Sequence, residues 1–340
     1  MTGVQTCALP ILVEVVRGGA VESRHNVHVV VSDSRGAVVA SVGDPTGLTY
    51  YRSAAKPIQA LPLVEEGIAD RIGLSTEELA LCCASHEGEP AHVAGARSIL
   101  EKAGVSEDLL RCGPHLPFSP AASRAVIESG EAAERIHNNC SGKHAGMLAL
   151  AVGMGWDPVD YHEAAHPVQA RMLTEVERWT GLDASQIPSG IDGCGILCFA
   201  VPLNKMAESM ARFSDAARQG EPAARIVSAM TEPPFMVGGT GRTCTDVMAQ
   251  ADGRAFVKLG AEGVYVGGIP AQGLGFAIKV QDGGRRAVEV ALIQTLADLD
   301  VLSGDDVAAL AQHGNPDVSN TCDEVVGEVR SAFSLRVGGI

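Results

Sequence analysis

At 340 residues, with 46% hydrophobic and 20% charged side chains, the chain has the balance of a compact globular protein with a sizeable core, not that of a disordered one. Its formal net charge of −15 leaves no basic run to neutralise phosphates, which argues against nucleic acid and anionic membrane partners and for a small-molecule substrate. Nine cysteines, an odd number without the spacing of a disulfide scaffold, predict reduced thiols and a cytoplasmic protein. No stretch reaches the ~18 consecutive apolar residues of a membrane helix.

Residues 1–11, MTGVQTCALPI, have no basic start and no cleavage signal and do not share the pattern that begins near Val13, so they read as a non-native leader. From Val13 to Val42, VEVVRGG, HNVHVVVSD and GAVVASVG are β-branched runs divided by turn residues, which predicts an antiparallel hairpin or meander. At 53–66 the spacing turns helical, disturbed by Pro57 and Pro62. Further helices are predicted near 76–83, 90–103, 121–129, 142–154, 167–180, 204–218, 221–230 and 243–250. Between Arg254 and Val280, RAFVKLG, GVYVGGI and LGFAIKV read as a second meander, followed by a helix near 285–300 and a last strand near 325–336. The expected fold class is α/β of the α+β kind: one central, mainly antiparallel sheet built from both chain ends and flanked by helices. One domain over 12–340, with a helix-rich middle at about 53–250, is expected.

A serine hydroxyl is a weak nucleophile at neutral pH and needs a base within hydrogen-bond reach. In Ser53-Ala54-Ala55-Lys56 the i, i+3 spacing puts both side chains on one face of a first helical turn. Taken alone, the pattern is better read as a helix cap with a solvated lysine. Ser85 in CCASHEGEP and Lys258-Leu259-Gly260 on a predicted strand change that. This order of Ser-x-x-Lys, later Ser and Lys-x-Gly resembles the serine β-lactamase and penicillin-binding protein superfamily, which includes serine glutaminases. The Ser-Asp-Asn of that superfamily is absent here, because His86 and Glu87 follow Ser85.

HNNCSGKHAGM (137–147), PSGIDGCGILCF (188–199) and VGGTGRTCTDVM (237–248) hold more reactive residues than packing requires. Together with YYRSAAKP, CASHEGE and KLGAEGVYVGGI they closely resemble the rhizobial-type L-asparaginases, the asparaginase II family, from about Val13 to Val337. The resemblance implies two Ser–Lys pairs at one active site, Ser53 with Lys56 and Ser85 with Lys258. It also implies zinc bound by Cys140, Lys143 and Cys194 with Asp192 beside them, Arg52 and His144 lining the pocket, and a homodimer. Ser53 is then the nucleophile that attacks the side-chain amide of L-asparagine. Arg52 is placed to grip the substrate carboxylate, and the N–H groups of Ser53 and of Glu262 or Gly263 are candidate oxyanion donors.

From spacing alone, Cys140-x-x-Lys143 is not a zinc motif, since lysine must lose its proton to coordinate and a buried structural cysteine is the commoner fate. Cys198, Cys82 and Cys83 read as core. His162 and His166 read as surface or capping residues and GGTGRT as a tight loop beside the site, not a phosphate cradle. Three other functions stay open: a glutaminase or peptidase on the same scaffold, a thiolate enzyme using Cys140 or Cys194 with His144 and Asp192, and a zinc or amino-acid binding protein without turnover.

Overall fold

A computed structural model describes residues 11–336. The leader reading of residues 1–11 lies outside the described residues except at Ile11, which opens the first strand. The N-terminal runs form β1 (Ile11–Arg17), β2 (Ala20–Asp33) and β3 (Val38–Val42), followed by the short β4 (Leu48–Tyr50). The middle of the chain adds β5 (Ser189–Ile191) and β6 (Leu197–Pro202). The late strands are β7 (Phe256–Gly260), β8 (Val264–Ile269), β9 (Leu274–Val280), β10 (Asp317–Ser319) and β11 (Val325–Ser331).

The main sheet runs β10-β11-β1-β2-β9-β8-β7, with β3 also on β2, and its pairings are antiparallel. It is thus built from the two chain ends, as expected. The long β2 joins them: residues 20–26 pair with β1, and residues 27–33 pair with β9 while β3 lies along their other side. Every residue of β8 is buried and all but one of β9, so both faces there are covered. Helices Leu203–Arg218 and Arg285–Asp298 supply cover, each packing on β2, β8 and β9. At the far edge sits β7, one side of which no other strand pairs among the described residues.

The helices fall where the apolar spacing predicts them. Those used below are α1 (Lys56–Glu65), α2 (Thr76–Cys82), α3 (Ser141–Gly153), α4 (Pro167–Thr180) and α5 (Thr243–Ala251). The start of α2 carries a full capping box, with Ser75 accepting from Glu78 N and Glu78 answering at Ser75 N. One sequence expectation is incomplete: a second sheet, β4-β6-β5, stands apart from the first. The last strand also ends at Ser331, short of 336.

Candidate active site

The turn that carries Ser53 is fixed from two sides. Tyr51 N–H donates to the Phe199 carbonyl on β6 at 2.9 Å, and its buried hydroxyl shares a hydrogen bond with Ser209 Oγ at 2.6 Å. Arg52 then takes a left-handed φ of 50°, which for a non-glycine residue costs on the order of 1 kcal/mol or more and marks a position the surroundings over-determine. A 3-10 turn, Arg52–Ala55, leads into α1, whose first turn holds Pro57. On the other side, Gly260 of β7 lies so near that a Cβ there would meet the Tyr51 carbonyl at 2.7 Å, so Lys-x-Gly needs its glycine to bring the edge strand against this turn.

Ser85 follows α2 in an extended segment held between two loops. Ser85 N donates to the Val237 carbonyl at 3.1 Å, His86 N to Asn139 O at 3.1 Å and Glu87 N to Gly238 O at 2.9 Å. Its hydroxyl is the meeting point of the two lysines. Lys56 Nζ lies 2.9 Å from Ser85 Oγ, 3.3 Å from Cys140 Sγ and against the Ala84 carbonyl. Lys258 Nζ lies 2.9 Å from the same Ser85 Oγ and 3.0 Å from the Leu259 carbonyl. Burial, joined by repulsion from Lys56 and outweighing the opposing pull of Cys244, pushes Lys258 down to about 7. A neutral Lys258 amine accepts a proton from Ser85, and Lys56 has hydrogens to donate to the same oxygen.

The pairing therefore differs from the one the spacing suggests. Both amines meet at Ser85, while the partly exposed Ser53 hydroxyl has no hydrogen-bond partner among the described residues.

The cysteine cluster adjoins through Cys140. This residue caps α3, and a Cβ on Gly142 in the next turn would strike the Leu81 carbonyl at 2.4 Å, so the glycine lets α3 press onto α2. Lys143 Nζ donates to Cys194 Sγ at 2.8 Å, and the Cys194 thiol donates to Cys140. That hydrogen bond, with the nearby Lys56 and Lys143 charges, holds Cys140 well below the usual thiol range against the effect of burial. Burial works to lower Lys143, but Cys194, Cys140 and Asp192 outweigh it and its pKa is raised. Asp192 accepts from Arg52 Nε at 2.9 Å and from Gly193 N at 2.6 Å. His144 stands aside from these contacts: its Nδ1 meets the Tyr161 hydroxyl at 2.5 Å and its buried Nε2 has no partner among the described residues.

Among the described residues no group of three or more His, Cys, Asp or Glu side chains gathers as a metal site. The candidate set is instead two thiols in mutual contact, an amine on one of them and a carboxylate close by. Thiolate and nitrogen donors suit zinc, so the residues present fit the ion once the lysine gives up its proton.

Sequence reasoning missed part of the surroundings. Arg242 forms an ion pair with Glu87 at 3.1 Å beside Ser85, and Cys244 lies 3.0 Å from the Tyr265 hydroxyl. Arg242 belongs to the segment read as a tight loop by the site, in which Thr240 N donates to Glu89 Oε1 at 2.8 Å, and Cys244 lies in the first turn of α5. Cys82, Cys83 and Cys198 are buried, and His166 caps α4.

A buried serine hydroxyl between two amines, one of them basic near neutral pH, is equipment for acyl transfer. The sequence matches the L-asparaginase II family over residues 13–331, and the chain belongs to that family. It is accordingly an amidohydrolase of the asparaginase type with a small-molecule substrate. No curated protein matches the sequence. Similar solved structures include a protein from Bacteroides dorei DSM 17855 assigned as a beta-lactamase (TM-score 0.37, 16% identity, covering 80% of this chain and 85% of that one). A beta-lactamase from Mycobacterium bovis gives a TM-score of 0.39 at 16% identity, over 85% of this chain and 95% of that one. Among the described residues no helix is long and apolar enough to cross a membrane.

Proposed function

We propose that the chain hydrolyses the side-chain amide of L-asparagine to L-aspartate and ammonia through a serine acyl-enzyme, with Lys258 as the base. The observation that supports this is the Ser85 hydroxyl held 2.9 Å from both amines. A serine oxygen attacks the amide carbon and its proton passes to the neutral amine. The resulting ammonium protonates the departing nitrogen, and ammonia leaves. Water then attacks the ester, giving its proton to the amine and from there to the serine oxygen.

Ser53 is the attacking residue in the first reading, since it is the less buried of the two serines and follows the strained Arg52. Ser85 then hands the proton to Lys258, through contacts that tighten when substrate closes the site. In a second reading, favoured by the hydrogen bonds themselves, Ser85 attacks. Arg52, braced by Asp192, holds the substrate carboxylate. Cys140, Lys143 and Cys194 would hold a zinc ion, which when bound supplies a fixed positive charge that orients the substrate. A homodimer in the cytoplasm completes the proposal; the eight described cysteines are all free, which suits a reducing compartment.

Rapid quench after mixing with asparagine, followed by peptide mapping of the aspartyl adduct, tests the mechanism. An adduct on Ser53 or Ser85 is expected, with turnover abolished by the matching serine-to-alanine change. An adduct on Cys140 or Cys194, or turnover within about tenfold of the parent in both alanine variants, would sink the serine chemistry.

A further inference from the structure

Beside Ser85 and Lys258 lies a cavity of about 10 Å³, the space that one water molecule fills, lined also by Thr243, Tyr265, Arg242 and Glu289 among others. Lys258 is wholly buried, so any proton it takes up needs a way out. Thr243 opens α5 and is 3% exposed. Its hydroxyl lies 3.1 Å from Nδ1 of His313, itself 6% exposed, whose Nε2 lies 2.7 Å from Asp246 Oδ2. A quarter of the Asp246 side chain reaches solvent. An ionised carboxylate only accepts, so Nε2 carries the histidine proton and leaves Nδ1 to accept from Thr243. The result is an ordered line of hydrogen bonds from the cavity wall to the surface. No step of the mechanism above uses it.

We propose that Thr243, His313 and Asp246 form a proton conduit between Lys258 and solvent, with one water in the cavity as the first link. The need for it rests on the asparaginase reading. Ammonia leaves in the first half-reaction, before the acid exists. Ester hydrolysis then yields a carboxylic acid, and the overall change, amide and water to carboxylate, ammonia and a proton, strands that proton in the site. The nearest strong base is the Lys258 amine. From its ammonium a proton moves to the cavity water, which gives one to Thr243 Oγ. Thr243 gives its own to His313 Nδ1, and His313 releases the Nε2 proton to Asp246 and water. The ring resets by exchange with solvent alone, Nε2 taking up a proton while the ring, turned outward, sheds the one on Nδ1, so that one proton leaves the site per cycle. The lowered pKa of Lys258 suits this traffic, because an amine that titrates near neutrality must exchange with solvent in both directions.

The test compares the full-length parent with His313→Ala and Asp246→Asn. Two readouts are used: kcat with asparagine, with and without added imidazole, and the solvent exchange rate of the Lys258 Nζ protons by ¹⁵N-lysine NMR, assigned with Lys258→Met. For His313→Ala the expectation is a loss of roughly tenfold in kcat at unchanged KM, recovered by imidazole in the space the ring vacates, and slowed Nζ exchange. Asp246→Asn should show a smaller loss of the same kind. Exchange at the parent rate in both variants overturns the conduit, and more pointedly so if Glu289→Gln slows it, since that carboxylate offers the other exit. A kcat loss that imidazole does not restore, with exchange unchanged, also overturns it by making His313 a packing residue. If the parent releases no ammonia from asparagine, the proposed function fails, while the exchange readout still decides the conduit.

Discussion

Two lysines a short distance apart meet opposite fates. Lys258 and Lys143 are both fully buried amines, each touching a side chain that can act as a nucleophile, and burial acts on both in the same direction, against the charged form. Their neighbours decide the outcome. Around Lys258 the amine of Lys56 and the guanidinium of Arg242 work against the pull of Cys244 and Cys140, burial prevails, and it becomes a base near neutral pH. Around Lys143 are two sulfurs and the Asp192 carboxylate, and it stays a cation. One residue type thus serves as proton acceptor in one cluster and as fixed charge in the other, with Cys140 touching both through Lys56 and Cys194. Arg52 and Asp192 extend the second cluster toward Ser53.

Removing the base should have the largest effect. Lys258→Met is expected to lower kcat by about 10²- to 10⁴-fold, the range a positioned proton-transfer group supplies, whereas Lys143→Met should leave a measurable kcat. Lys56→Met should also be severe, and the double variant with Lys258→Met should lose little more than the worse single one, because members of one unit fail together. Steady-state kinetics on the four proteins decides it. Strictly additive losses would show that the two amines at Ser85 act separately.

The contrast also fixes a pH dependence. Lys258 must be neutral to accept a proton, and its folded-state value is depressed to about 7, so the active fraction grows as pH rises through that value. Below it, log kcat/KM should fall with pH at a slope approaching one. Arg242→Gln removes a neighbouring positive charge that helps depress Lys258, so the acid limb should move to higher pH. A limb that stays put in this variant would remove Arg242 from the set of groups that tune the base.

The sequence made the members of these clusters legible but not their partners. Ser53 and Lys56 look like a pair at i, i+3, yet a 3-10 turn ends just before Lys56 and α1 begins with it, which sends the amine to Ser85 on another segment. Local spacing cannot carry that contact. The same limit applied to the fold. β8 and β9 stood out because β-branched runs between glycine turns have a period. β4 and β5 are three residues each, too short to show one, and LCFAVP of β6 is a continuous apolar run that reads only as buried. Thr243, His313 and Asp246 were illegible as a line because His313 joins from a C-terminal segment with no motif of its own.

A smaller effect is expected where the second cluster meets substrate. Arg52→Lys keeps the charge but loses the planar fork, and with it the two-pronged grip on a carboxylate and the Nε contact to Asp192. KM for asparagine should rise by about tenfold or somewhat more, the worth of one charge-assisted hydrogen bond, with kcat changed less. If kcat falls and KM does not, Arg52 acts on the reacting atoms and not on the substrate's carboxylate.

The smallest effect on turnover should come from emptying the proposed zinc set, and it sharpens the comparison most directly. In the structure the Lys143 cation already sits against Cys194, so positive charge occupies this cluster with or without a metal. Zinc binding must displace a proton from an amine whose pKa the cluster holds above the ordinary ~10.4, as well as from a thiol, so affinity should weaken as pH falls and the ion should come away readily. Because one cation replaces another, chelation should raise KM by a fewfold while kcat holds, and Cys140→Ser or Cys194→Ser should bind less zinc. Metal analysis with steady-state kinetics on untreated, chelated and zinc-restored protein gives the answer. Absence of stoichiometric zinc after growth with zinc would remove the metal from the account, leaving the Lys143 cation against Cys194 to act alone in its place. Turnover that vanishes on chelation and returns with zinc would instead put the ion among the reacting groups and end the division of labour between the two lysines.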